Sequence, residues 1–397
     1  MHDKLSDIRS REQKLLCTTY SRYPIALSRG FMSRVWDVDG KEYIDLLAGI
    51  AVAALGHCNT EIGQVLTEQA GKLWHVSNLF YQEEQLELAE RLLATSHFDK
   101  AFFCNSGAEA NEACIKLARR YMQIVRKRPA YEIITLDGCF HGRTLATLAA
   151  TGRENLSLGF TPLPEGFSQV PANDLGALEA AISEKTAAVM VEVVQGEGGI
   201  IPLADDYLQG VQKLAKDKDI LFICDEVQAG FCRTGTFWAF QNAQLTPDIA
   251  STAKALANGL PMGAMMAKDE VARAFVAGSH ATTFGGGAIT SKVAAKVIEI
   301  MVRDNLAKRA KELGDALAAK LAACMNRHPE AIKSVRHRGL MLGIDVEDCP
   351  NVWQKLIHRG YICGLTHGTT LRLLPALTIE EDELFSFVDA LDGVLSE

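Results

Sequence analysis

The chain lacks any stretch able to cross a bilayer. Its longest apolar run, Leu46–Gly56, spans 11 residues, against the roughly 20 that a membrane helix needs. It lacks a Cys-x-x-Cys pair: ten cysteines lie scattered from Cys17 to Cys363, with no zinc or disulfide framework, and free thiols in a chain of 397 residues fit a reducing compartment. It lacks an excess of positive charge. The 41 Lys and Arg against 49 Asp and Glu give a net charge of −8, which argues against general nucleic-acid binding. Gly-x-Gly-x-x-Gly, Gly-x-Ser-x-Gly and His-Glu-x-x-His are all absent, so the usual dinucleotide, serine-hydrolase and zinc-protease signals are missing. "GFCRTG" has the glycine spacing of a P-loop, but Thr236-Phe237 stands where Lys-Ser/Thr should follow. There is no low-complexity tract and no short internal repeat. The opening "MHDKLSDIRSREQKLL" is charged and helical in character, unlike a signal peptide. These absences lead to the expectation of a soluble cytoplasmic protein.

What is present is a core-forming pattern. Hydrophobic residues make up 48% of the chain, enough for a sizeable interior. From about residue 100 to 270, apolar runs alternate with amphipathic helical stretches. "KAFFCNS", "EIITLDG", "AAVMVEVV", "LFICDEV", "DIASTAK" and "GAMMAKD" read as strands, most of them continuously apolar, as strands covered on both faces are. "GAEANEACIKLARRYMQIV" reads as a helix with Cys114, Leu117, Ala118, Tyr121, Met122 and Val125 on one face. The alternation predicts an open α/β domain with a mainly parallel sheet. After about residue 288 long helical stretches take over, followed by strand regions around "GLMLGIDV" and "TTLRLLPAL". Thr378-Ile-Glu-Glu has capping-box spacing and predicts that a last helix begins at Thr378. The expected organisation is a large α/β domain over 51–289. A smaller α+β part is built from 1–50 and 290–397.

Several stretches carry chemistry. In "FFCNSGAEANE" a strand gives way to a helix, and Ser106 and Glu109 fit a capping box. Free N–H groups at such a helix start bind phosphate, although the same sequence also fits an ordinary βα turn. In "LFICDEVQAGFCRTG", Asp225 and Glu226 close an apolar strand, where the carboxyl ends of a parallel sheet border a binding crevice. No histidine or second carboxylate cluster accompanies them, which disfavours a metal. Lys254, in "STAKALANGLPMGA", sits among small apolar residues with no acid beside it. It is either snorkelling outward or desolvated into a nucleophile toward carbonyl carbon. In "DGCFHGRT", Phe140 could stack on a planar ligand and Arg143 could clamp a carboxylate. Arg372, in the apolar "LRLLP", needs an anionic partner, from substrate or protein. Together, a phosphate-ready helix start, an Asp at a strand end, a lysine 29 positions later, an aromatic ring and two arginines suit pyridoxal phosphate.

The segments "NSGAEANE", "FHGRT", "VVQGEGGI", "CDEVQAGFCRTG", "TAKALANGLPMGA" and "TTFGG" stand in order and in close register. They resemble the class III (ω-type) aminotransferases of pyridoxal-phosphate fold type I, nearly from end to end, and most closely the branch acting on N-acetylornithine. The resemblance implies that Lys254 carries pyridoxal 5'-phosphate covalently and moves protons, that Asp225 pairs with the pyridinium nitrogen, and that Gln228 approaches the phenolic oxygen. It implies that Phe140 stacks on the ring and that Ser106, Gly107 and Ala108 bind the phosphate. Thr283 matches a residue that reaches the phosphate of the neighbouring subunit, so the resemblance also implies a homodimer with active sites at its interface.

For substrates, the resemblance implies that Arg143, with Thr282 from the partner, holds the α-carboxylate end of the amino donor. Arg372 would clamp 2-oxoglutarate, and Glu197 would pair with Arg372 while the donor is bound. The implied reaction moves the terminal amine of N-acetylornithine, and also of succinyldiaminopimelate, to 2-oxoglutarate in arginine biosynthesis. Ornithine and 4-aminobutyrate are the rival donors, and a catalytically silent protein on the same scaffold is the non-enzyme alternative. The chain departs from the family pattern at "GGGAI", at Val193, at Thr282 and at "GHCNT".

Overall fold

The computed structural model describes residues 4–397; the first three residues of the charged opening stretch lie outside it, and Lys4–Leu15 of that stretch is helical. Apolar β-branched runs assemble a seven-stranded central sheet. Its strands are β1 (Lys100–Cys104), β2 (Glu132–Leu136), β3 (Phe167–Val170), β4 (Thr186–Val191), β5 (Leu221–Asp225), β6 (Ile249–Thr252) and β7 (Gly263–Ala267). In space the order is β1-β7-β6-β5-β4-β2-β3. Strands β6, β5, β4, β2 and β3 run parallel, whereas β7 is antiparallel to both β6 and β1. The middle strands β4, β5, β6 and β7 are buried at every position, because helices cover both faces.

The six expected strands are all present, with three differences. The "AAVMVEVV" run breaks after Val191, and Val194–Gln195 turns away to pair with Ile201–Pro202, which projects the loop carrying Glu197. Strand β6 ends at Thr252, so Lys254 lies on a 3₁₀ turn, Lys254–Ala257, rather than on the strand. Edge strand β3 went unrecognised: "FSQV" alternates in exposure and has no apolar run to betray it.

The N- and C-terminal segments share a sheet. Strands Arg34–Asp37 and Glu42–Asp45 form a hairpin, and Tyr361–Ile362 pairs parallel with Glu42–Asp45. A second four-stranded sheet contains Met341–Val346 and Thr370–Leu373, the latter bearing Arg372. The Ala288–Arg303 helix packs on helices Thr60–Ala70 and Glu83–Leu93 and on the Lys254 turn. The last helix begins at Glu381, not Thr378. Arg309 donates to the carbonyls of Leu377 and Ile379, holding the chain in a turn there, and the Thr378 hydroxyl is buried without a partner, so no capping box forms. No helix among the described residues is long and apolar enough to cross a membrane.

Two elements of the C-terminal segment meet at a close backbone contact. Gly314 lies inside the Leu306–Arg327 helix, and a Cβ there would stand 2.1 Å from the carbonyl oxygen of Gly339. Helix propensity favours alanine by up to about 1 kcal/mol, but a backbone atom cannot rotate aside, and overpacking costs about 1–3 kcal/mol. Gly314→Ala is expected to lower the melting temperature by several degrees in thermal denaturation; a rise would show that the contact is loose.

Candidate active site

A cavity of about 400 Å³ opens at the carboxyl ends of the parallel strands. Its lining includes Ser106–Ala108, Phe140–Arg143, Glu192, Asp225 with Gln228, and Lys254. A larger hollow of about 610 Å³ lies beside the Lys4–Leu15 helix, but that helix buries none of its residues, and the hollow brings together no comparable set of chemical groups.

At the floor is Asp225, the last residue of β5, 3% exposed. Its Oδ2 accepts from Asn111 Nδ2 at 2.7 Å and faces His141 Nδ1 at 2.7 Å, and its Oδ1 accepts from the Val227 N–H at 2.9 Å. These donors suit the ionised form. Burial works against a charged imidazole, yet the pKa of His141 lies well above its ordinary value, because Cys139 and Asp225 favour the charged ring. Glu226 faces the opposite way, as strand alternation requires. Its carboxyl accepts from the Ala239 and Phe240 N–H groups at 2.7 and 2.8 Å, and burial pushes its pKa up to about 8. Of the two acids, Asp225 is the one that faces the cavity.

Lys254 follows an abrupt bend in the chain. Ala253 has φ −163° and ψ −132°, and Lys254 itself has φ +41°, a left-handed conformation costly for a residue with a side chain. Burial lowers the pKa of its amine; Glu197 opposes that shift and Arg372 adds to it. A larger neutral fraction is what a nucleophilic lysine requires.

The Gly107–Arg120 helix points its N-terminus into the cavity. Ser106 is its N-cap, and Ser106 Oγ accepts from the Glu109 N–H at 3.1 Å. The capping box is only half formed, because Glu109 reaches back to the Asn105 N–H at 2.6 Å instead of to Ser106. The N–H groups of Gly107 and Ala108, in the first turn, have no helical partner. A Cβ on Gly107 would lie 2.7 Å from Val227 Cγ1, so the close approach of backbone to cavity needs glycine there.

On the other side of Gln228 stands an ion pair between a buried arginine and a half-buried acid. Arg372, 5% exposed, donates through Nη1 to Glu197 Oε1, and its Nε has no partner. Burial would raise the Glu197 pKa, but Arg372 outweighs it and the carboxyl titrates below its usual range. Gln228, which adds a little to that lowering, also lines the cavity and so stands between the pair and the pocket.

The structure thus brings Lys254, Asp225, Gln228, Phe140, Arg143, Ser106, Gly107 and Ala108 to one cavity, with Glu197 and Arg372 adjoining. Arg143 is exposed at the mouth, its guanidinium 5.5 Å from the Phe140 ring centroid. Thr282 and Thr283 do not line the cavity of their own chain. They border a separate surface depression with Asn105, Glu109 and Phe284, where Thr282 Oγ1 accepts from Asn105 Nδ2 at 3.1 Å.

Sequence reading missed Asn111, His141 and Glu192. His141 stood within "FHGRT", between two residues that were singled out, and a histidine just after a strand near a buried acid was the available signal. Asn111 lay one helical turn beyond the N-cap, on the inward face. The P-loop-like "GFCRTG" has a structural explanation: the buried Arg233 donates to the carbonyls of Leu340 and Pro375 at 3.0 and 2.6 Å, strapping this loop to the C-terminal unit.

Removing the imidazole while keeping a ring tests the support of Asp225. His141→Phe strips one of three donors from a buried carboxylate, and breaking a buried pair costs about 3 kcal/mol. The urea midpoint is expected to fall accordingly; an unchanged midpoint would mean that the imidazole does not support a charged Asp225.

The arrangement has counterparts among known proteins. Residues 18–395 match the family model described as aminotransferase class III. The acetylornithine aminotransferase of Methanocaldococcus jannaschii is 44% identical over 390 residues, covering 97% of each chain. Among solved structures, an ornithine aminotransferase from Toxoplasma gondii, described with partial occupancy of PLP at its active site, superposes with a TM-score of 0.95 at 30% identity, covering 98% of this chain and 94% of that one. N-acetylornithine aminotransferase from Stenotrophomonas maltophilia does so with a TM-score of 0.83 at 34% identity, covering 98% of each. A cavity with an amine facing a buried aspartate, on a fold shared from end to end with these enzymes, makes the chain a member of the class III aminotransferases.

Proposed function

We propose that the protein transfers the terminal amine of N-acetylornithine to 2-oxoglutarate, using pyridoxal 5'-phosphate held on Lys254, in arginine biosynthesis. The observation that carries this reading is the cavity in which the Lys254 amine, the buried Asp225 and the free N–H groups of Gly107 and Ala108 converge, beside a separable Glu197–Arg372 pair. The donor is inferred from the acetylornithine aminotransferases that the chain resembles at up to 44% identity.

The residues fit the cofactor. Gly107 leaves the helix N-terminus bare for a phosphate, Asp225 offers a buried anion to a pyridinium nitrogen, and Phe140 lies at the cavity wall as a stacking surface. Bound pyridoxal phosphate supplies an electron sink for charge developing at the amine-bearing carbon. Desolvation keeps the Lys254 amine ready to attack and later to carry a proton. His141 and Asn111 fix Asp225 so that its charge stays directed at the ring. Arg143, at the mouth, suits the distant carboxylate of a long donor.

A homodimer accompanies this reading. Trp74, Leu79, Phe80, Tyr81 and Phe284 are exposed by 67% or more. They form one surface with the Thr282 loop: Asn78 Nδ2 donates to the Thr282 and Gly285 carbonyls, and the His75 and Phe284 rings lie 5.3 Å apart. An apolar surface of this kind marks an association site, and burying it against a second copy would bring Thr282 and Thr283 toward the partner's cavity. A cytoplasmic location fits ten free cysteines, eight of them buried.

The donor is tested by comparing turnover of N-acetylornithine, ornithine and 4-aminobutyrate with 2-oxoglutarate. N-acetylornithine is expected to have the highest kcat/KM, and Lys254→Ala to have none of it. Equal or better activity on 4-aminobutyrate would overturn the assignment.

The Glu197–Arg372 pair predicts an asymmetry between half-reactions. With Glu197→Ala, the donor's alkyl chain meets an uncompensated guanidinium, a loss of up to about 3–5 kcal/mol and less where water enters. The expected result in single-turnover kinetics is weaker donor binding with unharmed or tighter 2-oxoglutarate binding. Arg372→Ala is expected to do the reverse. Equal losses in both halves would make Glu197 a structural partner only.

A further inference from the structure

At the end of β4 a second buried acid stands beside Asp225. Val191 is in register with Cys224 on the neighbouring parallel strand, so the residue that follows each is a carboxylate. Glu192 is 6% exposed, and its carboxyl lines the cavity without a salt-bridge partner among the described residues. It is nevertheless fully engaged. Oε2 accepts the Phe140 N–H at 2.9 Å and Oε1 accepts the Gly196 N–H at 3.3 Å.

Those two amides belong to different loops with different tasks. Phe140 presents its ring to the cavity and is followed by His141, which supports Asp225. Gly196 is followed by Glu197, and its carbonyl lies 3.5 Å from Arg372 Nη1. Gly196, Gly198 and Gly199 surround Glu197, and glycines leave a turn many conformations; its carbonyls are held at Glu197 by His367 Nε2 at 2.7 Å and at Gly199 by Arg336 Nη2 at 2.9 Å, and Glu192 holds the N–H at its start. A Cβ on Gly196 would come within 2.1 Å of Gln228 Oε1, so this residue also has no room to drift toward the pocket.

We propose that Glu192 is a positioning residue that ties the Phe140 loop to the Gly196–Glu197 turn, giving the Glu197 carboxylate a fixed pivot from which to engage or release Arg372. The proposal rests on the transaminase reading above. It assigns Glu192 a share in discriminating between the two substrates, acting through Glu197, without contact with either substrate.

The charges around Glu192 make this tie sensitive to pH. Asp225 faces it from β5, His141 from the Phe140 loop, Lys254 from across the cavity and the Glu197–Arg372 pair from the turn. Burial first, and then the Asp225 charge, push the Glu192 carboxyl up to about 7; His141 and the two amides pull in the other direction. Above that pH both oxygens accept. Below it one oxygen carries a proton, and the N–H it faced loses its acceptor. The tie is therefore complete on the alkaline side and weakened on the acidic side.

The experiment is a single-turnover measurement of each half-reaction in the holoenzyme from about pH 6 to about pH 9, bracketing that titration, for wild type, Glu192→Gln and Glu192→Asp. In wild type the ratio of donor kcat/KM to 2-oxoglutarate kcat/KM is expected to rise severalfold as pH increases through neutrality. In Glu192→Gln, of equal size but with one acceptor oxygen, the ratio is expected to be lower by about three- to tenfold, the worth of one hydrogen bond, and to lack the rise. Glu192→Asp keeps the charge but is too short for both amides. It is expected to lower the ratio while retaining a pH step, and it serves alone if the glutamine variant fails to fold. Variants that only lower the melting temperature, with the wild-type ratio and pH profile intact, would overturn the proposal. Absence of either half-reaction in wild type would instead overturn the transaminase reading.

Discussion

The site depends on keeping one negative charge inside the protein. Asp225 lies at the end of a strand buried at every position, where a carboxylate left without hydrogen-bond donors would be costly. Asn111, His141 and the Val227 amide supply those donors. Each of them comes from a different element: a helix, the loop after β2, and the turn after β5. The Gly107–Arg120 helix therefore has two duties. Its first turn offers N–H groups to the cavity, and Asn111, in the same helix, fixes the acid. Moving that helix would disturb both at once, which is why small residues pack its buried face so closely against β6 and β7.

The second constraint is the pairing of opposite charges, Glu197 and Arg372, beside the cavity. Arg372 is almost fully buried on a strand of the smaller unit, while Glu197 reaches it from a glycine-rich turn of the larger one. In the proposed reaction an arginine on a strand and an acid on a turn would divide the labour: the cation would stay where a carboxylate substrate binds, and the acid would be the part that moves. The pair links the larger and smaller parts of the chain, and the Arg233 strap to the Leu340 and Pro375 carbonyls links them again from outside the cavity.

Much of this was legible in the sequence wherever a single pattern decided the outcome. The apolar run ending in Cys224 and the stretch ending in Thr252 read as covered strands, and the family resemblance singled out Asp225 and Lys254, which the structure places after two neighbouring ones. What was not legible depended on partners distant in sequence. Thr378 has capping-box neighbours, yet Arg309 holds the chain there in a turn. Glu109 could have closed the box at Ser106, but the Asn105 amide lay nearer in the folded chain. His141 and Asn111 look ordinary in their own segments and acquire meaning only when β5 delivers Asp225 between them. The break after Val191 likewise arises from the turn toward Ile201–Pro202 and not from any local breaker residue.

The left-handed conformation of Lys254 carries an evolutionary consequence. At φ +41° glycine would be less strained than any side-chain-bearing residue, and glycine would also remove an amine whose charged form burial penalises. Selection for stability alone would therefore drive this position away from lysine, and a thermostability screen run without an activity filter would collect inactive proteins at residue 254. With the role proposed for Lys254, selection for function would hold the amine there against the preference of the fold.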